Sequence, residues 1–360
     1  MTQGTPDPGV VGGIYEAVMA VPDLLEAAAF WGCFGYRVMH TGQLDRADAK
    51  ALYGVDSAVK AIRLGHGKAD HGLVRLVSWE KPTGEGLGLV PFRCLGERHT
   101  GLYVRDVMQV HDHVQAARAR GWTIDGVAPF FGDPVAAHVA DGSTDSFRPF
   151  ADPIVGVRDL TVMTPHVRLY VSEPVNYEMP RYGTVSNTAL FPATQFTSIS
   201  MVVPDDSAQT LDFYDKVLGL WRRADTEVGA SVLSKMLWGG PDGERRRSLD
   251  YDMQASGRAL HERLGGVLKV THFKSSTLPD YREKSRPGNL GLSLFTARVQ
   301  PIEAMRERMR GAGATNVTPV LRDEFGQRAY SCRAPDGYDW TFIEAPPPNP
   351  YMHGGMGPRK

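Results

Sequence analysis

Histidine and cysteine are the residue types in this chain that could most directly bind a metal or attack a substrate. The three cysteines, Cys33, Cys94 and Cys332, are odd in number and far apart. This usage is typical of a reducing cytoplasm and argues against disulfides or a cysteine metal site. His111 and His113 stand two apart in a helical pattern, and helix residues at that spacing do not share a face. They therefore predict no pair of metal ligands.

Charge and hydropathy narrow the class of protein. The 360 residues carry a net charge of −1 at pH 7, so no basic surface for nucleic acid or for an anionic membrane is expected. No apolar run approaches the ~20 residues that span a bilayer. Residues 1–12 lack the basic and apolar regions of a signal peptide and predict a flexible lead. We expect a cytoplasmic protein whose partner is a small molecule.

One pattern occurs twice in the chain and organises the rest. Residues 16–35 read EAVMAVPDLLEAAAFWGCFG, and residues 198–219 read SISMVVPDDSAQTLDFYDKVLG. Each copy predicts an apolar strand, a Val-Pro-Asp turn, and an amphipathic helix with an aromatic pair that ends at glycine. A self-match of this length indicates that the two halves are copies of one design.

Each half divides again into two strand-helix-strand-strand-strand units. A second cycle begins with a strand at His99 and a helix over 107–120, and the fourth unit has a helix over 300–311. One such unit cannot cover its own sheet face, so units must pair. The prediction is an α+β fold of four βαβββ units in curved sheets. Its parts are a flexible lead at 1–12, an N-terminal paired domain at 13–173, a linker at 174–194, a C-terminal paired domain at 195–346 and a tail at 347–360.

The four units, the two copies of the pattern and the late stretch APDGYDWTFIEAP (334–346) resemble the vicinal oxygen chelate superfamily. That group holds glyoxalases, extradiol dioxygenases, epimerases, and bleomycin- and fosfomycin-resistance proteins. The resemblance covers roughly residues 12–346 and implies two glyoxalase-like cupped-sheet domains. It does not specify the reaction, because one cup hosts many chemistries.

The resemblance also implies where a metal would be held. In the superfamily, one ligand lies seven residues before the turn aspartate of a unit, and a second lies in the last strand. The matching positions here are Glu16, His99, Ser198 and Asn289 in the first strands, and Arg75, Arg168, Lys269 and Thr341 in the last strands. The second half thus offers no good ligand, and a lysine ammonium repels a cation. It is expected to be a structural or substrate-covering copy.

The first half offers a tentative metal set under the same resemblance. Glu16 and His99 occupy the first-strand positions, and His166 lies two residues before Arg168 and so on the same strand face. A carboxylate and two imidazoles suit iron, manganese or zinc with positions open for substrate. A protein without metal is the alternative.

A second reading of the same positions needs no metal. Arg75 and Arg168 match each other in two units, so they are expected to face each other and hold a carboxylate or enolate. Glu16 would then act as general base with His99 as its proton partner. The structural alternative is that both arginines pair with Glu16 and neighbouring acids in a buried network.

These residues favour an enzyme that acts on a small oxygenated, anionic metabolite as a glyoxalase-like lyase or isomerase. Two alternatives stay open at this point. One is a ring-cleaving dioxygenase of the extradiol type with a metal in the N-terminal domain. The other is a non-catalytic binding protein of the resistance type. Units in this superfamily often pair between chains, so a homodimer is expected.

Overall fold

The computed structural model describes residues 9–131, 150–151, 156–176, 185–229, 236–258, 263–274 and 277–346. These residues form four βαβββ units, and the predicted α+β class is confirmed. Unit 1 contains β1 (Val10–Ala20), α1 (Leu24–Gly32), β2 (Tyr36–Leu44), α2 (Arg46–Tyr53), β3 (Val59–His66) and β4 (Leu73–Trp79). Unit 2 contains β5 (Arg98–Tyr103), α3 (Val107–Ala119), β6 (Phe130–Phe131), β7 (Gly156–Met163) and β8 (Arg168–Val175).

Units 3 and 4 follow the same plan. Unit 3 contains β9 (Ser198–Val202), α4 (Ala208–Asp212) with a π-helical continuation (Phe213–Val217), β10 (Trp221–Val228), β11 (Arg246–Asp252) and β12 (Val267–Phe273). Unit 4 contains β13 (Gly291–Gln300), α5 (Ile302–Gly311), β14 (Leu321–Arg322), β15 (Arg328–Arg333) and β16 (Asp339–Glu344), after a 3₁₀ turn at Arg282–Ser285. Within the described residues, no helix has both the length and the apolarity needed to cross a bilayer.

The first strands of units 1 and 2 each end in a turn whose aspartate caps the helix that follows. Asp23 accepts hydrogen bonds from the backbone N–H groups of Leu25 and Glu26 at the start of α1. Asp106 caps α3 in the same way. In unit 3 the cap moves to Ser207, which accepts from the N–H of Thr210. Each side chain satisfies helix N–H groups that have no partner within the helix.

The units pair differently from the expectation. The chain forms two eight-stranded sheets, with strand orders β14-β15-β16-β13-β1-β4-β3-β2 and β10-β11-β12-β9-β5-β8-β7-β6. The first sheet therefore joins units 1 and 4, and the second joins units 2 and 3. The predicted pairing of unit 1 with unit 2, and of unit 3 with unit 4, is wrong. Every unit presents the same first-strand edge, so the repeat indicates that units pair but not which ones.

Two predicted boundaries also change. Residues 10–12, assigned to a flexible lead, belong to β1, and residues 1–8 lie outside the described residues. Residues 174–175 of the expected linker belong to β8, and Phe191 and Ala193 in its described end are buried in the main core. Linker residues 177–184 and the tail at 347–360 lie outside the described part of the chain.

The main core and the two concave faces lie on opposite sides of the sheets. One apolar cluster gathers residues from both sheets and several helices, including Trp31, Ile199 and Phe295. We call the concave face of the first sheet the first cup, and that of the second sheet the second cup. A helix and a hairpin fill much of the first cup: α2 packs there through Leu52, and residues 323–327 connect β14 to β15 above it.

Gly42 permits the close approach of that hairpin, and this gives a prediction for stability. A Cβ atom at position 42 would overlap the carbonyl oxygen of Glu324. We expect Gly42→Ala to lower the free energy of unfolding by about 2 kcal/mol, because the hairpin must shift within a packed region. Urea unfolding measures this change. Gly32→Ala is the control, since a Cβ at Gly32 meets nothing within 4 Å. Equal stability of both variants would show that the hairpin is not held against β2.

Candidate functional site

The centre of the first cup is an ionic network rather than an open site. Arg75 forms ion pairs with Glu16, with Asp323 at 3.0 Å and with Glu324 at 2.7 Å. Arg63 binds the same Glu16 carboxylate, with its Nε 2.9 Å from Oε2. All five side chains are almost fully buried. Two guanidiniums and three carboxylates therefore satisfy one another where a substrate would otherwise lie.

The charge of Glu16 follows from this network. Burial alone would raise the pKa of its carboxyl group, but Arg75 and Arg63 outweigh burial and lower the pKa. Glu16 is thus a carboxylate whose two oxygens are already occupied by guanidinium groups. It is not available to accept a proton from a substrate.

The second cup contains an open cavity of about 350 Å³. Units 2 and 3 both contribute to its lining, which is polar and aromatic. Its lining includes the side chains of His99, Asp159, Tyr170, Trp238, Arg246 and Lys269. In the strand register, Ser200 of β9 lies between His99 of β5 and Lys269 of β12. The imidazole and the ammonium group therefore lie on one face, two strands apart.

A carboxylate holds the imidazole of His99 in place. Glu97 lies two residues before His99, and its Oε1 is 3.0 Å from His99 Nδ1. The other oxygen of Glu97 is 2.6 Å from Arg168 Nη2. Arg168 in turn donates to the carbonyl oxygens of Gly88 and Val90, at 3.0 and 2.9 Å. The guanidinium fixes the carboxylate, and the carboxylate fixes the ring.

The protonation state of His99 follows from these contacts. Burial lowers the pKa of the imidazole, and the positive charges of Arg168 and Lys269 lower it further, against the raising effect of Glu97. His99 is therefore neutral near pH 7. An ionised carboxylate only accepts hydrogen bonds, so Nδ1 must carry the proton and Nε2 keeps its lone pair. This tautomer is that of a general base.

The second cup also presents positive charge. Lys269 has an exposed side chain and lies in the electrostatic field of Asp159 and Asp250. In the part of the chain that the structure describes, its Nζ makes no hydrogen bond or ion pair. The guanidinium of Arg246 lies 5.5 Å from the ring centre of Trp238. Lys269 and Arg246 thus place two cations on the lining of one cavity, and cations beside an aromatic ring are suited to bind an organic anion.

A protonatable carboxyl group lies on the opposite wall. Burial raises the pKa of Asp159 to about 6, although hydrogen bonds from Ser172 and Tyr170 lower it. The Ser172 hydroxyl donates to Asp159 at 2.7 Å. Burial and the neighbouring Asp159 hold the pKa of Tyr170 well above its usual range, so its hydroxyl stays protonated.

The structure separates the side chains that were predicted to act together. Glu16 lies on β1 of the first sheet and His99 on β5 of the second, and the same division separates Arg75 from Arg168. Both arginines are instead paired with buried acids, as in the structural alternative. His166 lies in the turn between β7 and β8. This separation follows from the pairing of unit 1 with unit 4 instead of unit 2.

Sequence reasoning missed two residues of the candidate site, Glu97 and Asp159. Glu97 could have been found, because a carboxylate two residues before a strand histidine shares its face. Asp159 could not, since its neighbour in the cup, Lys269, comes from another unit. Lys269 itself was recognised only as a residue unsuited to bind a metal.

Comparison with known proteins supports the resemblance found in the sequence. Residues 197–342 match the Glyoxalase/Bleomycin resistance protein/Dioxygenase superfamily. No protein of curated function matches the sequence. Glyoxalase I from Zea mays has the same fold, with a TM-score of 0.53 and 15% identity over 93% of this chain and 93% of that one. A candidate dioxygenase of Bacillus subtilis gives a TM-score of 0.53 and 14% identity over 96% of this chain and 91% of that one.

Proposed function

We propose that this chain, of which residues 197–342 match the Glyoxalase/Bleomycin resistance protein/Dioxygenase superfamily, binds a small oxygenated anion in its second cup. It then removes a proton from the carbon next to a carbonyl of that anion. The observation that carries the proposal is the neutral His99, oriented by Glu97, in one cavity with the ammonium group of Lys269. The reaction class is that of a glyoxalase-like lyase or isomerase.

The proposed roles follow from the geometry of the cup. Lys269 binds a carboxylate or enolate oxygen of the substrate and stabilises the negative charge that develops when the adjacent carbon loses a proton. Nε2 of His99 accepts that proton. Arg168 and Glu97 do not touch the substrate; they hold the imidazole in the required tautomer. A cavity of about 350 Å³ is the size of a small-metabolite site.

Members of the superfamily often bind a divalent metal, and neither cup provides a suitable set of donors for one. In the first cup both guanidiniums already occupy the Glu16 carboxylate. In the second cup one imidazole lies near an ammonium, which repels a cation. The described residues hold no group of three or more His, Cys, Asp or Glu side chains arranged around a possible ion. Glu16 lies in the first sheet and His99 in the second, so the tentative set of Glu16, His99 and His166 does not gather around one ion within the described residues.

The test is exchange of a carbon-bound proton with solvent. The full chain is incubated in deuterated buffer with a panel of small 2-oxo and 2-hydroxy carboxylates, and proton NMR follows the signal of the carbon next to the carbonyl. Exchange or conversion above the buffer rate supports the proposal. Binding without exchange would favour a non-catalytic binding protein, and absence of both would overturn the proposal.

A substitution of Lys269 tests whether its ammonium group contributes to binding. The ligand is a carboxylate whose carbon-bound proton exchanges in the presence of the wild-type protein. We expect Lys269→Gln to weaken its binding by about tenfold or more, because a charge-assisted hydrogen bond is lost. Isothermal titration calorimetry measures the dissociation constant. Lys216→Gln is the control, since Lys216 is a surface lysine paired with Asp212 on one helix. Equal affinity in both variants would remove Lys269 from the site.

A further inference from the structure

A larger cavity, of about 500 Å³, opens beside the ionic network of the first cup. It lies between the C-terminal end of α2, residues 316–318, and strands β13 and β15. Tyr53 separates it from the network: its hydroxyl accepts from Arg75 Nη1 at 2.9 Å and donates to Glu324 at 3.0 Å. The cavity is thus outside the second cup and plays no part in the proposed reaction.

Three cationic side chains, Arg333, Arg286 and Lys50, line this cavity. Asp339 is buried between two arginines, with Arg333 Nε at 3.1 Å and Arg286 Nη1 at 3.3 Å. Within the residues that the structure describes, the two Nη atoms of Arg333 have no hydrogen-bond partner. Lys50 is exposed at the rim, and its Nζ is 3.6 Å from Asp56. Of these three cations, Arg286 is also paired with Glu283 and Lys50 with Asp56, so the Nη atoms of Arg333 are the donors that favour an anion in this cavity.

The interior of the cavity combines hydroxyl groups with an apolar wall. The hydroxyls of Ser331 and Thr341 lie 2.9 Å apart on the sheet below it, and Ser331 lines the cavity. Leu52 and Leu294 are buried side chains of the opposite wall, and both line the space. An inorganic ion would leave this apolar wall without contacts. A ligand with one anionic group and an apolar body would cover it.

We propose that this cavity is a second binding site, which takes an organic anion such as an aryl or alkyl carboxylate or sulfonate. The anionic group lies against the free Nη atoms of Arg333, and Lys50 supplies additional positive charge at the rim. A guanidinium binds a planar oxyanion through two parallel hydrogen bonds, and this donor pair is already oriented by Asp339. The apolar body lies between Leu52 and Leu294.

The probe for this site is 8-anilinonaphthalene-1-sulfonate, which joins an aromatic body to one sulfonate. Equilibrium dialysis of the full chain counts the molecules bound, and fluorescence titration gives their dissociation constants. We expect Arg333→Gln to remove one bound molecule or to raise its dissociation constant at least tenfold. Ala51→Trp is a second variant, because Ala51 is an exposed residue that lines the cavity. The indole ring is expected to fill the space and have the same effect.

Controls separate this inference from the proposed function. Arg310→Gln changes an exposed arginine of α5 that pairs with Glu307, and it should leave probe binding unchanged. Lys269→Gln should affect only probe bound in the second cup, so the effects of Arg333→Gln and Lys269→Gln are independent. Wild-type stoichiometry and affinity in both Arg333→Gln and Ala51→Trp, with circular dichroism showing folded protein, would overturn the inference while leaving the second cup untouched.

Discussion

The His99→Gln variant is expected to lose proton exchange by roughly 100-fold or more, while its affinity for the carboxylate changes little. Glutamine keeps a polar group in the cup but cannot accept a proton near neutral pH. General-base catalysis contributes about 10²- to 10⁴-fold to such a step. The measurement is the exchange rate by proton NMR at saturating ligand, with calorimetry for the affinity. A variant that exchanges at the wild-type rate would show that His99 is not the base.

The direction in which pH changes the exchange rate follows from the pKa of His99. Because burial lowers the pKa of His99, the exchange rate should be flat near neutral pH and fall only as pH drops below the usual histidine range. Protonated imidazole has no lone pair to offer. Glu97 raises the pKa of this ring, so Glu97→Gln should shift the falling limb to lower pH. It should also lower the maximal rate by about tenfold, because the tautomer is no longer held.

That shift distinguishes positioning from support of the fold. A residue that only stabilises the protein would lower the amount of active chain and leave the pH profile in place. Glu97→Gln with an unmoved profile would therefore contradict the role of Glu97. Because Glu97 also holds Arg168, thermal unfolding of each variant must accompany the rate measurements.

Replacing Arg75 by methionine is expected to lower the free energy of unfolding by about 3–5 kcal/mol. The change leaves three buried carboxylates, Glu16, Asp323 and Glu324, with Arg63 as their remaining guanidinium. Removing one partner from a buried ion pair costs this much because the other charge stays desolvated. Urea unfolding at pH 7 measures the loss.

Acid should reduce the difference between this variant and the wild type. Arg75 and Arg63 lower the pKa of Glu16, so the stability that Glu16 contributes is present above its unfolded pKa and is lost as pH falls through the folded value. Arg75→Met removes one of the two guanidiniums that counteract the effect of burial on Glu16. The pKa of Glu16 is then higher, and its carboxyl group takes up a proton at higher pH. The gap in stability between the two proteins should thus be widest near pH 7 and narrow toward pH 4.

The double variant Arg75→Met/Glu16→Gln tests the same cause independently. A neutral amide in place of the carboxylate removes one uncompensated charge, so part of the lost stability should return. Arg310→Gln is the surface control and should cost little, since exposed pairs contribute about 0–1 kcal/mol. If Arg75→Met cost no more than Arg310→Gln, the ionic network would not be what fills the first cup.

Much of each unit could be read from the sequence because its signals are local. The helix start after Asp23 depends on a side chain and N–H groups two and three residues away. The strand patterns depend on alternation within one segment. These signals survive in any arrangement of the units. His99 was also recognised, because the resemblance assigns a site residue to the position seven residues before the turn aspartate of unit 2.

Contacts between distant segments could not be predicted from such local signals. Arg75 pairs with Asp323, 248 residues further along the chain, and Lys269 of unit 3 meets Asp159 of unit 2 only because β9 pairs with β5. The sequence alone predicted Glu16 as a general base or metal ligand and Arg75 as a substrate-binding group, since an inward charge in a sheet looks the same whether it faces a ligand or an ion pair.

By itself, therefore, the sequence determined the repeated βαβββ unit, its capped helices and the number of units, because periodicity and capping act between near neighbours in the chain. Only the tertiary structure decided which units share a sheet. That choice brings the hairpin at 323–327 over the first cup and leaves the second open around His99 and Lys269. The physical reason is that equivalent strand edges offer the same backbone hydrogen bonds, so side-chain contacts between remote units select among them.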